Sequence, residues 1–354
     1  MIASAAGLVV AVLAIPLAFL LLIAPHEGGH FVIAKLCRMR AFEFSLGMGS
    51  KLWSTTKGGT LYAIRLLPIG GYVRIGGMEP GDFEDPNGFH RKPAYQRLLV
   101  LLAGPFVNFA VSILLIAPVA FTSVNDNPGK VFAVVKPSAA YDAGIRPDDT
   151  IVSVDGKPAS QLRAEVASHA DSPLSLQVRK ADGTLQTLTL TPRYDSQERR
   201  NVIGVTAYAT YTPRQAALDS LFFPVMTTRG IAAGIYELAS GQIPGGLLGP
   251  QGVTGAIGIG YVTYEAARAG WQDYLLLVAT LSVALGLANL LPVPALDGGR
   301  ILVVLLEKLR GRPFDREREM QVQRFGLVAL LALIAFVAYF DIQRIATGTF
   351  PVLH

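Results

Sequence analysis

Four stretches of this 354-residue chain carry no charged side chain: Ile2 to Pro25, Leu98 to Val124, Tyr274 to Leu296 and Phe325 to Phe340, which are 24, 27, 23 and 16 residues long. A helix rising 1.5 Å per residue needs about 20 apolar residues to cross the hydrocarbon core of a bilayer. The first three runs meet that length outright. The fourth meets it once Arg324 and Asp341, at its two ends, reach toward the interfaces. Only 16% of the residues are charged, against about 25% in a soluble domain. The chain therefore reads as a polytopic α-helical membrane protein with four transmembrane helices and the lipid bilayer as its solvent.

The net charge of +5 invites a nucleic-acid partner, but its distribution argues against one. Residues 34–97 hold ten Lys and Arg against five acids, and residues 300–324 hold seven against four. The long segment 122–273 holds thirteen against fourteen and is nearly neutral. Short loops rich in Lys and Arg stay in the cytosol, whereas a long folded segment crosses regardless of charge. The pattern predicts both termini and the 122–273 segment outside the cytosol, with the two basic loops inside. Cys37 stands alone, so no internal disulfide forms and no CxxC metal pair exists. The first apolar run has no Lys or Arg ahead of it and exceeds the length of a signal-peptide core. It reads as a retained transmembrane helix that continues past Pro25 to about Lys35.

The segments expected in order are 1–37 (helix one), 38–96 (a β-hairpin region), 97–124 (helix two), 128–193 (a soluble β-rich module), 194–272 (a linker with an amphipathic helix over Ala216 to Leu238), 273–299 (helix three), 300–323 (a basic loop) and 324–343 (helix four). Within 38–96, Thr60 to Leu67 and Gly71 to Ile75 alternate like strands, with Pro68-Ile-Gly-Gly71 as the turn between them. In the module, Val131–Val135, Thr150–Val154, Leu174–Val178 and Leu185–Leu190 read as strands, and Asp155-Gly156 and Asp182-Gly183 as tight turns. Ser138–Ala143 and Gln161–Ala170 read as helices. Gly241 to Gly260 reads as a glycine-rich connector.

The chemistry concentrates at His26-Glu27-Gly28-Gly29-His30, at the end of the first run. On a helix, positions i and i+4 share a face, so both imidazoles can reach one metal ion and Glu27 stands beside it as a general base. Zinc suits imidazole ligands and hydrolytic chemistry. Two histidines and a glutamate in lipid are costly unless they have a function. A catalytic zinc needs a third protein ligand, and Asp297 is the only acid between Asp273 and Glu307. It sits in Asn289-Leu-Leu-Pro-Val-Pro-Ala-Leu-Asp-Gly-Gly299, where two prolines and two glycines would break helix three and let the carboxylate turn to the metal. The two glycines inside the first motif each cost about 1 kcal/mol of helix propensity, so packing must hold that helix.

These motifs resemble those of the site-2 protease family of intramembrane zinc metalloproteases. The resemblance rests on His26-Glu27-x-x-His30, Asn289-x-x-Pro292 and Leu296-Asp297-Gly298. Its bacterial branch, of the regulator of sigma-E protease type, is matched by Gly104-x-x-x-Asn108, Leu67-Pro-Ile-Gly-Gly-Tyr-Val73 and Phe44-Ser-Leu-Gly-Met-Gly49. Pro137 to Ile145 followed by Asp148 to Gly156 resembles a single PDZ domain. The resemblance implies zinc held by His26, His30 and Asp297, Glu27 as catalytic base, and Asn289 and Asn108 as substrate-binding residues. It also implies a membrane-dipping hairpin that offers a sheet edge to an unwound substrate strand. The expected fold is thus four transmembrane helices with a membrane-associated β-hairpin and an inserted α+β PDZ-like domain. The expected activity is cleavage of single-span membrane proteins, such as anti-sigma factors or signal-peptide remnants, already trimmed by a first protease. The expected place is a bacterial inner membrane, multi-pass, with the active site toward the cytosol. The rival reading is a scaffold with a vestigial metal site that recruits partners through the inserted domain. The intact base beside the ligands argues against it.

Overall fold

The computed structural model describes residues 5–349 apart from 126, 170–171, 196–199, 208–209, 244, 247–248 and 250–251. Both termini, the expected helix end at Ala170 and parts of the glycine-rich connector lie outside the described residues. The chain divides into two compact units, Met1–Val119 with Asp219–His354, and Ala120–Leu218. In chain order the elements are α1 (Ala5–Leu36), β1 (Ala41–Lys57), β2 (Thr60–Ile75), α2 (Ala94–Thr122), β3 (Val131–Val134), α3 (Ala139–Asp142), β4 (Thr150–Val154), β5 (Lys157–Pro158) and α4 (Leu162–Ser168). There follow β6 (Leu174–Arg179), β7 (Leu185–Leu190), β8 (Arg193–Asp195), β9 (Arg200–Val202), β10 (Val205–Ala207), α5 (Pro213–Ala239), α6 (Ala256–Ala269), α7 (Trp271–Leu290), α8 (Asp297–Arg310) and α9 (Arg316–Ala346).

Four helices are long and apolar enough to cross a membrane: Leu13–Leu36 of α1, then α2, α7 and α9. Each overlaps one of the four uncharged runs, although Leu13–Leu36 shares only residues 13–25 with the first. α1 tolerates Pro16 and Pro25 in its interior, as membrane helices do where neighbouring groups satisfy the freed carbonyls. A seam of Ala14, Ala18, Leu22, Tyr274 and Val278 joins α1 to α7, and the Tyr274 hydroxyl donates to the Ala14 carbonyl at 2.8 Å. Small residues on this seam let the backbones come close, which is how helices associate where lipid removes the hydrophobic drive.

Several boundaries differ from the sequence expectations. Helix three was expected to run to 299, but α7 stops at Leu290 and Asp297 opens a new helix. Pro292 and Pro294 supply no backbone donor, and Ala295 takes a positive φ of 78°. The basic segment 300–323 is not a loop; most of it is α8 and the start of α9. α9 begins well before its apolar run because Asp315 caps it, accepting from the Arg318 amide at 3.0 Å. The glycine-rich connector ends early in a second helix, α6. The buried Asp341 carboxylate of α9 accepts there from the amides of Gly255 and Gly258 at 3.0 and 2.9 Å, at the N-terminus where an anion stabilises a helix.

The hairpin also differs. Its turn is Gly58-Gly59, both at positive φ, and Pro68 to Gly71 lies within β2. Residues 43–46 of β1 each pair twice, with 61–64 and again with 71–74, while 61–64 also pair with residues 53–56. The two long strands thus fold over into a four-ply sheet whose last ply is 71–74. The four glycines of 47–49 and 70–71, with their bulges, permit the fold-back.

In the Ala120–Leu218 unit the sheet order is β5-β4-β6-β7, with β10 paired to β3 and β8 to β9. Leu174, Leu176 and Val178 alternate inward and pack with Val131, Ile145, Ile151 and Val154. The unit extends beyond the expected limit of 193, because Ile203 joins its core and β10 completes a sheet with β3.

Candidate metal centre

The i, i+4 spacing on α1 does what the sequence implies: His26 and His30 lie on one face, with their Nε2 atoms 3.2 Å apart. Asp297, the first residue of α8, brings Oδ2 to 3.3 Å from His26 Nε2 and 3.2 Å from His30 Nε2. Both histidines are buried. Asp297 Oδ2 is buried without a well-directed hydrogen bond from any protein donor. Three lone-pair atoms converging in a dry site repel one another unless a cation sits among them. A tetrahedral zinc with bonds of about 2.0–2.1 Å has its ligand atoms about 3.3 Å apart. The near-equilateral triangle therefore fits zinc by its donors and by its edges.

The surroundings orient these ligands. His30 Nδ1 donates to the Val100 carbonyl of α2 at 2.7 Å, which fixes the tautomer and leaves the Nε2 lone pair for metal. Asn108, expected to support the site and to contact substrate, is fully buried, with its amide 3.3 Å from His26 Nδ1. A polar group deep in a membrane helix must find a partner, and this imidazole is within reach. Of the two amide orientations, the one presenting Oδ1 to His26 Nδ1–H satisfies an oxygen otherwise left unpartnered and again frees Nε2. The Asn108 carbonyl in turn accepts from Ser282 of α7 at 2.9 Å.

Glycine makes this convergence possible. A Cβ at Gly104 would meet the His30 ring and would stand 2.8 Å from His26 Cε1. At Gly29 it would lie 2.7 Å from the Ala103 carbonyl, and at Gly286 3.0 Å from that of Pro105. Gly29 of the motif is thus explained by the approach of α1 to α2. Gly28 faces open space.

Glu27 is close enough to His26, His30 and Asp297 to feel their charges, and it also borders β2. The Val73 amide is a hydrogen-bond partner of its carboxylate, and a Cβ at Gly71 would lie 3.4 Å from Glu27 Cγ. The 71–74 ply therefore passes directly beside the residue between the two histidines. Arg65 ties the sheet together: its guanidinium donates to Ser45 Oγ (2.7 Å), the Gly49 carbonyl (2.6 Å), Glu43 (2.6 Å) and the Tyr72 hydroxyl (2.7 Å). Burial pushes the Glu43 carboxyl up, but the Arg65 and Tyr72 hydrogen bonds outweigh it and hold the group below its ordinary range.

Asn289, in the last turn of α7, is half-buried and donates to the Leu285 carbonyl of its own helix at 3.1 Å. Sequence reasoning missed Gln323 of α9, whose Oε1 accepts from the Ala295 amide at 2.6 Å. Gly326 beside it lets Pro294 pack against α9, since a Cβ there would stand 2.6 Å from the Pro294 carbonyl. These two contacts hold the irregular 291–296 segment that aims Asp297. No local signal marks them, because Gln and Gly on a helix face are common.

Among the described residues a second trio of metal-ligand types lies in the other unit: Asp155, Glu165 and His169. His169 Nε2 is 3.2 Å from Asp155 Oδ2. Lys157 sits 2.7 Å from Glu165, and the trio is open to solvent.

Comparison with known proteins agrees with this geometry. The model of peptidase family M50 matches residues 14–333. A Fusobacterium nucleatum protein named as a zinc metalloprotease is 33% identical over 339 positions, covering 92% of this chain and 96% of that one. The Bacillus subtilis regulator of sigma-W protease RasP is 26% identical over 409 aligned positions, covering 90% and 95%. The zinc metalloprotease RasP of Geobacillus kaustophilus is 27% identical, covering 90% and 94%. With four membrane-length helices and a buried trio of zinc-type ligands, the chain belongs to peptidase family M50, the site-2 proteases, and is a membrane zinc metalloprotease.

Proposed function

We propose that His26, His30 and Asp297 hold the zinc and that Glu27 is the catalytic base, cleaving the unwound transmembrane segment of a single-span membrane protein. The observation that carries this reading is the triangle of ligand atoms with 3.2–3.3 Å edges beside a glutamate that borders a sheet edge. Zinc, when bound, supplies Lewis acidity toward the scissile carbonyl and makes water a better nucleophile. Glu27 accepts the proton of the attacking water and returns it to the leaving amine. Asn108 holds the His26 ring, and Asn289 binds the substrate backbone.

A peptide bond inside a helix has its carbonyl and amide engaged, so cleavage requires local unwinding, and unwound backbone in lipid needs new partners. The 71–74 ply supplies them by strand addition, and Arg65 keeps that ply in shape beforehand. Leu52, Trp53, Leu66 and Leu67 of the sheet are more than half exposed, which suits a β-element dipping into the bilayer. We read this side as facing the cytosol across a bacterial inner membrane, with the termini and the inserted unit outside, a reading supported by the basic charge of the 34–97 and 300–324 segments. We read the inserted unit as PDZ-like. A groove of 610 Å³ lies between α4 and Ile203 to Ala207, with the strand and helix walls that accept an extended peptide. The proposed substrates are single-span proteins trimmed beforehand by a first protease; the Bacillus subtilis relative is named as a regulator of sigma-W protease.

The test is Glu27→Gln in the full-length protein, reconstituted with a single-span reporter substrate. Cleavage is expected to fall by about 10²–10⁴-fold while one zinc per chain is retained. Undiminished cleavage would overturn the base assignment.

A further inference from the structure

α2 opens at Ala94 and α9 at Arg316, and α8 ends nearby at Arg310. The first turns of α2 and α9 line one cavity of 580 Å³ together with the end of α8 and the loop after it. Because α2 is a membrane-length helix whose uncharged run starts at Leu98, a cavity at its first turn lies at the level of lipid headgroups. Five cations line it, against two carboxylates. Both carboxylates are already engaged. Glu307 is buried and accepts from Arg97 at 2.6 Å and from Arg316 at 2.7 Å, and Glu84 pairs with Arg91. Lys308 and Arg312 have no carboxylate partner among the described residues. The cavity therefore carries a net positive field that the protein itself does not neutralise.

Two buried polar atoms on the lining also await a partner. Arg97 is nine-tenths buried, and its Nε has no hydrogen bond. His90 Nδ1 likewise has none. Burial, with the Arg316 and Arg97 charges, pushes the His90 imidazole down to about 3, so the ring is neutral near pH 7 and has a nitrogen to share.

We propose that this cavity binds the phosphate of an anionic phospholipid, with Lys308, Arg312 and the Arg97 guanidinium as its donors. Cationic pockets between membrane helices at the headgroup level suit such lipids, and guanidinium matches phosphate oxygens in pairs. A free phosphate would satisfy the same cations, but the cavity opens at the turn of α2 that immediately precedes its uncharged run from Leu98, the depth at which a headgroup phosphate sits. The ligand is thereby placed outside the metal centre, on the opposite end of α8 from Asp297.

The experiment uses the full-length protein in neutral detergent with phosphatidylglycerol as probe, read by native mass spectrometry and by the shift in thermal unfolding. Phosphatidylcholine and inorganic phosphate are the comparison ligands. Lys308→Gln and Arg312→Gln, both at exposed side chains, are expected to weaken phosphatidylglycerol retention about fivefold each and to reduce its thermal shift. Lys51→Gln and Lys57→Gln, which remove two charges outside the cavity, are expected to change neither. Equal weakening by both pairs of variants would show unspecific surface attraction and overturn the proposal. Displacement of the lipid by inorganic phosphate, with the same dependence on Lys308 and Arg312, would assign the cavity to a free phosphoryl ligand and overturn the lipid.

Discussion

Among the described residues two trios bring histidine and carboxylate ligands together, and they differ in their setting. His26 and His30 are buried, as is the Asp297 Oδ2 that meets them at 3.2–3.3 Å, and among the described residues no Lys or Arg forms an ion pair with that carboxylate. Asp155, Glu165 and His169 are solvent-accessible, and Lys157 already neutralises Glu165 at 2.7 Å. In the first, the ring of His30 is set by a backbone carbonyl of another helix, 70 residues away. In the second, His169 Nδ1 is set by the carbonyl of Glu165 within its own short helix. The contrast teaches that ligand identity and proximity do not make a metal centre. An unfilled electrostatic demand in a dry, externally braced site does.

The comparison can be broken most severely at Gly104. Gly104→Val places carbon where the two imidazoles stand, and overpacking of this kind costs about 1–3 kcal/mol even without a ligand to lose. Zinc content measured by atomic absorption should fall to background, and cleavage with it. Next is Asp297→Ala, which leaves the two histidines in place. Outer-shell changes at zinc sites already cost 10–100-fold in affinity, so loss of a ligand should cost at least about a hundredfold in a competition with a chelator. Retention of zinc there would break the three-ligand reading.

A smaller effect is expected from Gln323→Ala. It removes the acceptor of the Ala295 amide, a loss of about 1–2 kcal/mol in the positioning of the 291–296 segment. Activity should drop about tenfold while the zinc is bound more weakly. Adding Ala295→Gly should recover part of it, because glycine takes the positive φ of 78° without the strain of a Cβ. If the double variant is no better than the single one, Gln323 acts by some route other than that backbone. At the bottom of the scale, His169→Ala should leave zinc stoichiometry unchanged at one per chain. A drop would make the exposed trio a true second site and erase the contrast.

The same contrast explains what the sequence disclosed. The His26-to-His30 spacing lies within one helical turn, and the four uncharged runs are local facts about composition. Both are legible because local geometry fixes them. Asp297 was legible by scarcity, since few acids occur near the membrane segments. The break after Leu290 was foreseeable from Pro292 and Pro294, but the fate of the following residues was not. The basic segment reads as a loop by charge, yet its apolar Leu302, Leu305 and Leu306 let α8 form. The fold-back of β1 over β2 was hidden because a two-strand alternation looks the same whether the strand has one neighbour or two. Asn108 was picked out by its motif but assigned to the substrate. Only the packing of α2 on α1 shows that it faces His26. Gln323 left no trace because its role depends on a contact across α9 and the 291–296 segment.

The order in which the chain leaves the ribosome gives the metal centre a built-in delay. His26 and His30 enter the membrane with the first helix, whereas Asp297 belongs to the last fifth of the sequence. At synthesis rates of about 5–20 residues per second, the histidine pair waits on the order of ten to fifty seconds for its third ligand. During that interval α2 can dock and seat His30 on Val100, but the triangle stays open on one side. With Asp297 as the proposed third ligand, the zinc site is completed only when the final helices arrive.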